Sequence, residues 1–354
     1  MGKQIPRMEE GAIPTPRTIY EHLNEYVIGQ ERAKRTLSIA AYNHYKRLKG
    51  IMEAQPGEEQ LLRKSNVLMI GPSGCGKTHI ARNMARFLNV PFAVVDATEY
   101  TEAGYYGKDV EVMLGELLFS ADLDPEVAQT GIVFIDEIDK IARRNHGQRT
   151  GAGSRDIGGE GVQQSLLKLL EGTTVFVPYN ITQHWSKHDF VQMDTTNILF
   201  ICAGTFTDMK RGSSERTPGF TAEEVSPDAL VPFEKRVQVE DLLQYGMIAE
   251  LLGRIPVIVE LSELTEEQLV RIMVEPPDSV LKEYAHLMKL DNVDLTVEDD
   301  ALYRVAHYAR RRKLGARALR TIFEDVMHDV MFDAPEQEGG EVVITEEDVE
   351  SKLR

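Results

Sequence analysis

"GPSGCGKT", Gly71 to Thr78, stands between an apolar run, "NVLMIG" (66–71), and a helical pattern, "THIARNMARFL" (78–88). It satisfies G-x-x-x-x-G-K-[ST] in the strand, loop and helix context that a phosphate-cradling loop requires. The glycines let the backbone wrap tightly, so that successive N–H groups face phosphate oxygens and the following helix N-terminus adds a favourable dipole. Pro72, Ser73, Gly74, Cys75 and Gly76 would form that cradle. Lys77 would reach the β- and γ-phosphates of ATP, and Thr78 would place its hydroxyl on Mg²⁺. A glycine turn that merely contained Lys-Thr would need neither the strand before it nor the helix after it.

Working outward, "PFAVVD" (91–96), "GIVFID" (131–136), "NILFIC" (197–202) and "PVIVEL" (256–261) repeat the short apolar, β-branched character of the run before the loop. Such runs bounded by turn residues read as buried strands, and helical patterns such as "GVQQSLLKLLEG" (161–172) lie between several of them. The expected fold class is α/β, with a doubly wound parallel sheet. "IVFIDEID" (132–139) then supplies a second chemical element at a strand end, the edge where such sheets bind ligands. Asp136 would hold Mg²⁺ through its water shell, and Glu137 would orient and polarise the attacking water. Carboxylates at a strand end are commonly just solvated; the accompanying phosphate loop argues for the catalytic reading here.

From about Thr265 the pattern becomes helical, with apolar residues at three- and four-residue spacing in "TEEQLVRIMVE", "DSVLKEYAHLMKL", "DALYRVAHYARRR" and "GARALRTIFEDVMHDVMF". A second, smaller, mainly helical α+β domain follows. The polar, Gly/Ser-rich stretches 51–65, 145–160 and 212–228 read as loops or locally disordered segments, and no internal repeat is evident. At 354 residues two domains are the natural expectation. Forty basic against fifty-seven acidic side chains leave a net charge of -17, which argues against broad nucleic-acid or anionic-membrane binding. Cys75 and Cys202 are the two cysteines, which fits a reducing compartment; with no apolar signal core or spanning run, the expected location is cytoplasmic.

One stretch resists a structural reading. "EAGYYGKDVE" (102–111) sets Tyr105 and Tyr106 between Gly104 and Gly107, poor material for a helix or strand interior. It reads as a loop tip whose aromatics are either half-buried anchors or exposed grips.

Several motifs lie outside the general ATPase pattern: "YVIGQ" (26–30), "GYYGKDVE", "RDIGGEGVQQSLLKLLEGT" (155–173) and "LLGRIPV" (251–257), and the match extends to "GARALR" (315–320). In these the chain resembles the ClpX-like unfoldases of the AAA+ Clp/Hsp100 family, over nearly its whole length. The resemblance implies a AAA+ P-loop core over 15–262, a small C-terminal domain over 263–354 and a flexible segment over 1–14. It implies an ATP-dependent, ring-shaped homo-hexamer that unfolds and translocates unfolded or tagged proteins, with a ClpP-like peptidase as partner and ATP and Mg²⁺ as cofactors. Val27 and Ile28 would contact the adenine, although apolar residues beside a turn also simply pack. Arg254 would be the finger that reaches a neighbouring subunit's nucleotide, and Arg317 the sensor of the γ-phosphate in its own subunit. A forked, permanently charged guanidinium suits both tasks. A finger acting in trans implies a head-to-tail ring. Tyr105 and Tyr106 would line the pore, and Phe220 would dock the peptidase.

The sequence also departs from the family. It has no cysteines for the family's N-terminal zinc-binding domain. Pro218-Gly219-Phe220 stands where an Ile-Gly-Phe docking tripeptide is usual, "YNITQHWSKHD" (179–189) lacks the basic Arg-Lys-His triplet, and Tyr106 replaces a valine. Two alternatives therefore stay open: a disassembly chaperone that meets no peptidase, or a nucleic-acid remodeller on the same ATPase core.

Overall fold

The computed structural model describes residues 13–53, 63–101, 109–143, 159–178, 190–207, 209, 236–336 and 339–353. Nine strands occur among them: β1 (Val67–Ile70), β2 (Phe92–Asp96), β3 (Ile132–Asp136), β4 (Thr174–Pro178), β5 (Phe190–Asp194), β6 (Leu199–Gly204), β7 (Val257–Glu260), β8 (Val293–Val297) and β9 (Gly340–Ile344). Five form one parallel sheet in the order β2-β3-β6-β1-β7. These are the five apolar runs read as strands. The central strands show why the runs are uninterrupted: every residue of β1 and β6, and the first four of β3, are buried, so neither face of the sheet calls for polar alternation. Helices Lys77–Leu88 and Glu160–Glu171 appear where the three- and four-residue spacing places them.

The described residues divide into two compact units. The first takes those within 1–20, 32–71 and 78–260; the second takes those within 21–31, 72–77 and 261–354. The core of the first packs β1, β3 and β6 residues such as Leu68, Val133 and Phe200 with Leu117, Leu166 and Leu251. It also carries an antiparallel pair, β4–β5, that the sequence reading did not separate out. There Val175, Val177 and Met193 face inward, while Phe176 and Phe190 project outward at 65% and 57% exposure.

The second unit has helices Glu266–Val274, Val280–Leu290, Asp299–Arg311, Arg317–Asp333 and Glu346–Leu353, with the short parallel pair β8–β9. Leu269, Tyr284, Val305, Ile322 and Phe323 build its core. Its first helix is fixed by a capping box: Thr265 Oγ1 accepts from the Gln268 N–H at 3.2 Å, and Gln268 Oε1 accepts from the Thr265 N–H at 3.1 Å.

One correction concerns 51–65. Helix Glu31–Glu53 runs three residues into that stretch, supported by a Lys49–Glu53 pair at 3.7 Å one turn apart. Residues 54–62 lie outside the described residues, as do most of 145–160 and all of 212–228. Among the described residues no helix is long and apolar enough to cross a membrane.

Candidate nucleotide site

In the first unit, the C-terminal edge of the sheet gathers the carboxylates. β1 ends beside β6, with the Gly71 N–H donating to Gly204 O at 3.2 Å, and the chain leaves β1 there into the glycine loop. On the other side of β6, β3 ends in the half-buried Asp136 and the exposed Glu137. Glu137 adopts a left-handed backbone, φ 56°, which is uncommon for a residue with a side chain. Its N–H donates to Asp136 Oδ1 at 2.9 Å, and its carbonyl accepts from the Lys140 N–H at 2.9 Å. The strand thus stops abruptly and turns the two carboxylates out at the edge. Thr78 is half-buried one residue into the helix that follows the loop.

In the second unit, residues 72–77 of the glycine loop lie against the turn 313–316. The Ala316 N–H donates to Gly74 O at 3.1 Å. Gly74 has φ 71°, and a Cβ built there would fall 1.9 Å from Leu314 O; this position admits glycine alone. Gly76 has φ 100° and would meet nothing within 4 Å, so its backbone borders open space. Beside the loop is a cavity of about 270 Å³ bounded by Pro72–Cys75, Glu263, Leu264, Leu269, Arg310, Lys313 and Gly315. Lys77 is buried, its Nζ donating to Pro72 O at 3.0 Å, and Arg317 opens the helix that follows the turn. Burial pushes the Cys75 thiol up, while the nearby Lys77 and Arg317 charges pull it down. Four cations therefore collect around one loop of a chain whose net charge is -17. Together with the two positive-φ glycines that shape the loop, that set of cations fits a polyphosphate.

Val27 and Ile28, read as adenine contacts, are buried at 5% and 6% exposure in this second unit. The residue after their glycine, Gln30, is one the sequence reading quoted but gave no role. Its Nε2 donates to Ser262 O at 2.8 Å and to Cys75 O at 3.4 Å, while its Oε1 accepts from the Ser262 N–H at 3.1 Å. Its amide ties the glycine loop to the segment entering the C-terminal helices. A Gln directly after a Gly turn was the signal available. Arg310 and Lys313 were also missed, being two among many arginines and lysines in a helical stretch.

Arg254 stands apart. Its guanidinium pairs with Glu171 Oε1 at 2.7 and 2.8 Å on the surface, and its carbonyl accepts from Asn66 Nδ2 at 2.8 Å. Asn66 immediately precedes β1, so Arg254 lies at the N-terminal edge of the sheet, opposite Asp136 and Glu137. Tyr105, Tyr106 and Phe220 lie outside the described residues.

Comparison with known proteins gives two family matches. Residues 62–258 match the model for the AAA domain (Cdc48 subfamily), and residues 264–344 match that for the C-terminal, D2-small domain, of ClpB protein. The chain is 46% identical over 345 residues to the ATP-dependent Clp protease ATP-binding subunit ClpX of Treponema denticola, covering 96% of this chain and 82% of that protein. It is 47% identical over 327 residues to the ATP-dependent Clp protease ATP-binding subunit ClpX 2 of Wolinella succinogenes, covering 92% and 79%.

Proposed function

This chain belongs to the ClpX family of AAA+ ATPases, and from that premise we propose that it works as a homo-hexameric ring that unfolds protein substrates and feeds them to a Clp-type peptidase. It is an ATPase. The observation that carries the ring is the position of Arg254. A guanidinium held by Glu171 at the N-terminal edge of the sheet cannot serve carboxylates at the C-terminal edge of the same sheet. It is an exposed cation poised to serve another copy's nucleotide, which makes each site a shared one.

Bound ATP with Mg²⁺ supplies the phosphoryl group to be transferred and the metal charge that screens it. The glycine loop's N–H groups and Lys77 hold the phosphates, and Thr78 and Asp136 hold the metal. Glu137 orients the water and accepts its proton as it attacks. Arg317 senses the γ-phosphate, and the neighbour's Arg254 stabilises charge spreading over the phosphoryl oxygens. Val27 and Ile28 border the base. Tyr105 and Tyr106 grip the substrate chain in the pore with broad apolar faces that tolerate any sequence. Phe220 enters the peptidase.

The test is unfolding of a tagged fluorescent protein, with and without a Clp-type peptidase. Wild type should unfold it in an ATP-dependent way. Lys77→Ala should lose nucleotide binding, whereas Glu137→Gln should bind nucleotide and turn over at least about 100-fold more slowly, since only the water-orienting group is lost. An ATPase stimulated by DNA and indifferent to unfolded protein would sink the reading. Pro218-Gly219-Phe220 in place of the usual docking tripeptide favours a second reading, a disassembly chaperone; unfolding without degradation when peptidase is present would select it.

A further inference from the structure

Asp139 is a buried carboxylate that none of the assigned roles uses. It lies two residues beyond Glu137, in the short helical turn Ile138–Ile141, at 4% exposure. Burying a carboxylate is costly unless its lone pairs are taken up. They are: Oδ1 accepts from the Thr205 N–H at 3.3 Å, and Oδ2 accepts from Thr205 Oγ1 at 3.0 Å and from the Phe206 N–H at 3.3 Å. Lys140 Nζ stands 3.7 Å from Oδ2. Thr205 and Phe206 directly follow β6, the strand beside β3. The fit is close, because a Cβ at Gly204 would fall 2.6 Å from Asp139 Oδ1.

Both ends of this link hold non-glycine residues in left-handed backbone, Glu137 at φ 56° and Phe206 at φ 50°. Each such residue carries backbone strain and persists only where its surroundings over-determine it. Ile138 and Ile141 anchor the turn into the core, but apolar packing does not fix its rotation. The Asp139 carboxylate does, by three directed bonds to one dipeptide. We infer that Asp139 is a positioning residue: it staples the turn that bears Glu137 to the end of β6 and thereby sets where the water-orienting carboxylate stands. The inference rests on the reading of Glu137 given above.

The experiment compares Asp139→Asn, Thr205→Val and Thr205→Ser by kcat, KM for ATP, affinity for a fluorescent ADP analogue with Mg²⁺, and thermal midpoint. Whichever way the Asn amide turns, its NH₂ faces a backbone N–H that needs an acceptor. Asp139→Asn should lower kcat by about 10- to 100-fold, the range for groups that orient a reacting one, with nucleotide affinity within about twofold. Thr205→Val, which removes one bond of three, should show a smaller fall that Thr205→Ser restores; it carries the test if Asp139→Asn does not fold. In a Glu137→Gln background Asp139→Asn should lower the residual rate by less than about twofold, because the group it positions is gone. An equal fall in both backgrounds, or affinity and kcat falling together with the thermal midpoint, would overturn the inference. An inactive Glu137→Gln beside a normal Asp139→Asn would overturn it alone, whereas normal turnover in Glu137→Gln would overturn the site reading as well.

Discussion

Gly74→Ala puts a single methyl group where the structure has no room for it. The new Cβ would stand 1.9 Å from Leu314 O, 2.7 Å from Leu314 C and 3.0 Å from Gly315 Cα, all backbone atoms that cannot rotate away. An ordinary contact needs about 3.4 Å, so the loop or the turn must retreat by more than an ångström. That retreat breaks the Ala316 N–H bond to Gly74 O. Overpacking costs roughly 1–3 kcal/mol and a lost hydrogen bond roughly 0.5–1.5 kcal/mol, over and above the strain of φ 71° on a side-chain-bearing residue. Gly76→Ala is the internal control, because it is strained at φ 100° but meets nothing within 4 Å. The difference between the two variants is then about 1.5–4.5 kcal/mol in holding the loop against 313–316, or one to three orders of magnitude in local opening. Hydrogen exchange at the Ala316 amide reads that opening directly. Gly74→Ala should speed it by at least about tenfold relative to Gly76→Ala, and weaken nucleotide binding with it. Equal exchange in the two variants would refute the reasoning, since it would mean that the contact with Leu314 does not hold the loop.

Arg254→Ala should leave the thermal midpoint nearly unchanged, because an exposed pair such as Arg254–Glu171 contributes little to stability, yet turnover should fall sharply. Mixing it with Lys77→Ala subunits should restore some hydrolysis; a mixture that forms rings and stays inactive would rule out action in trans. Lys64 offers a pH test: burial, and then the Arg47 charge, lower its pKa from 10.5 to about 7, while its Nζ donates to Thr195 O at 2.8 Å. A base with a lowered folded pKa costs stability in full below about 7 and progressively less up to 10.5, so this group makes stability rise with pH across that window. Lys64→Met should flatten the slope of thermal midpoint between pH 7 and 10, with its largest gain at the acid end; an unchanged slope would show that the amine is not desolvated.

The sheet was legible because its strands are buried on both faces and their runs are uninterrupted, as in "IVFID" and "LFICAG". The β4–β5 pair was not, because its five-residue strands alternate and Phe176 and Phe190, both strongly apolar, face outward. A hydrophobicity reading gives them the wrong side. In the candidate site, residue types at fixed spacing named Lys77, Thr78, Asp136 and Glu137, since phosphate and metal chemistry dictates them locally. What spacing could not give is which edge of the sheet Arg254 occupies, because that depends on Asn66, 188 positions away in the chain. Nor could it mark Asp139, whose partners at 205–206 come from another strand. One charge among the four acidic and basic residues of "DEIDK" looks like any other until its burial is known.

The second unit is assembled from three separate pieces of chain, and this bears on how the molecule can be cut. Gln30 arrives from before the sheet, Gly74 from within it and Ala316 from after it, yet their amide and carbonyl groups bond to one another or to Ser262. A fragment beginning at 261 would bring the turn 313–316 without the loop it cradles, leaving the Ala316 N–H without its acceptor and the cavity wall open. A fragment ending at 260 would keep the glycine loop as sequence but strip away the backbone of 313–316 that packs against it. Neither piece inherits the cavity beside the glycine loop with its walls intact. Expressed together as separate chains, they would have to rebuild it by association, at the entropic cost that the continuous chain avoids.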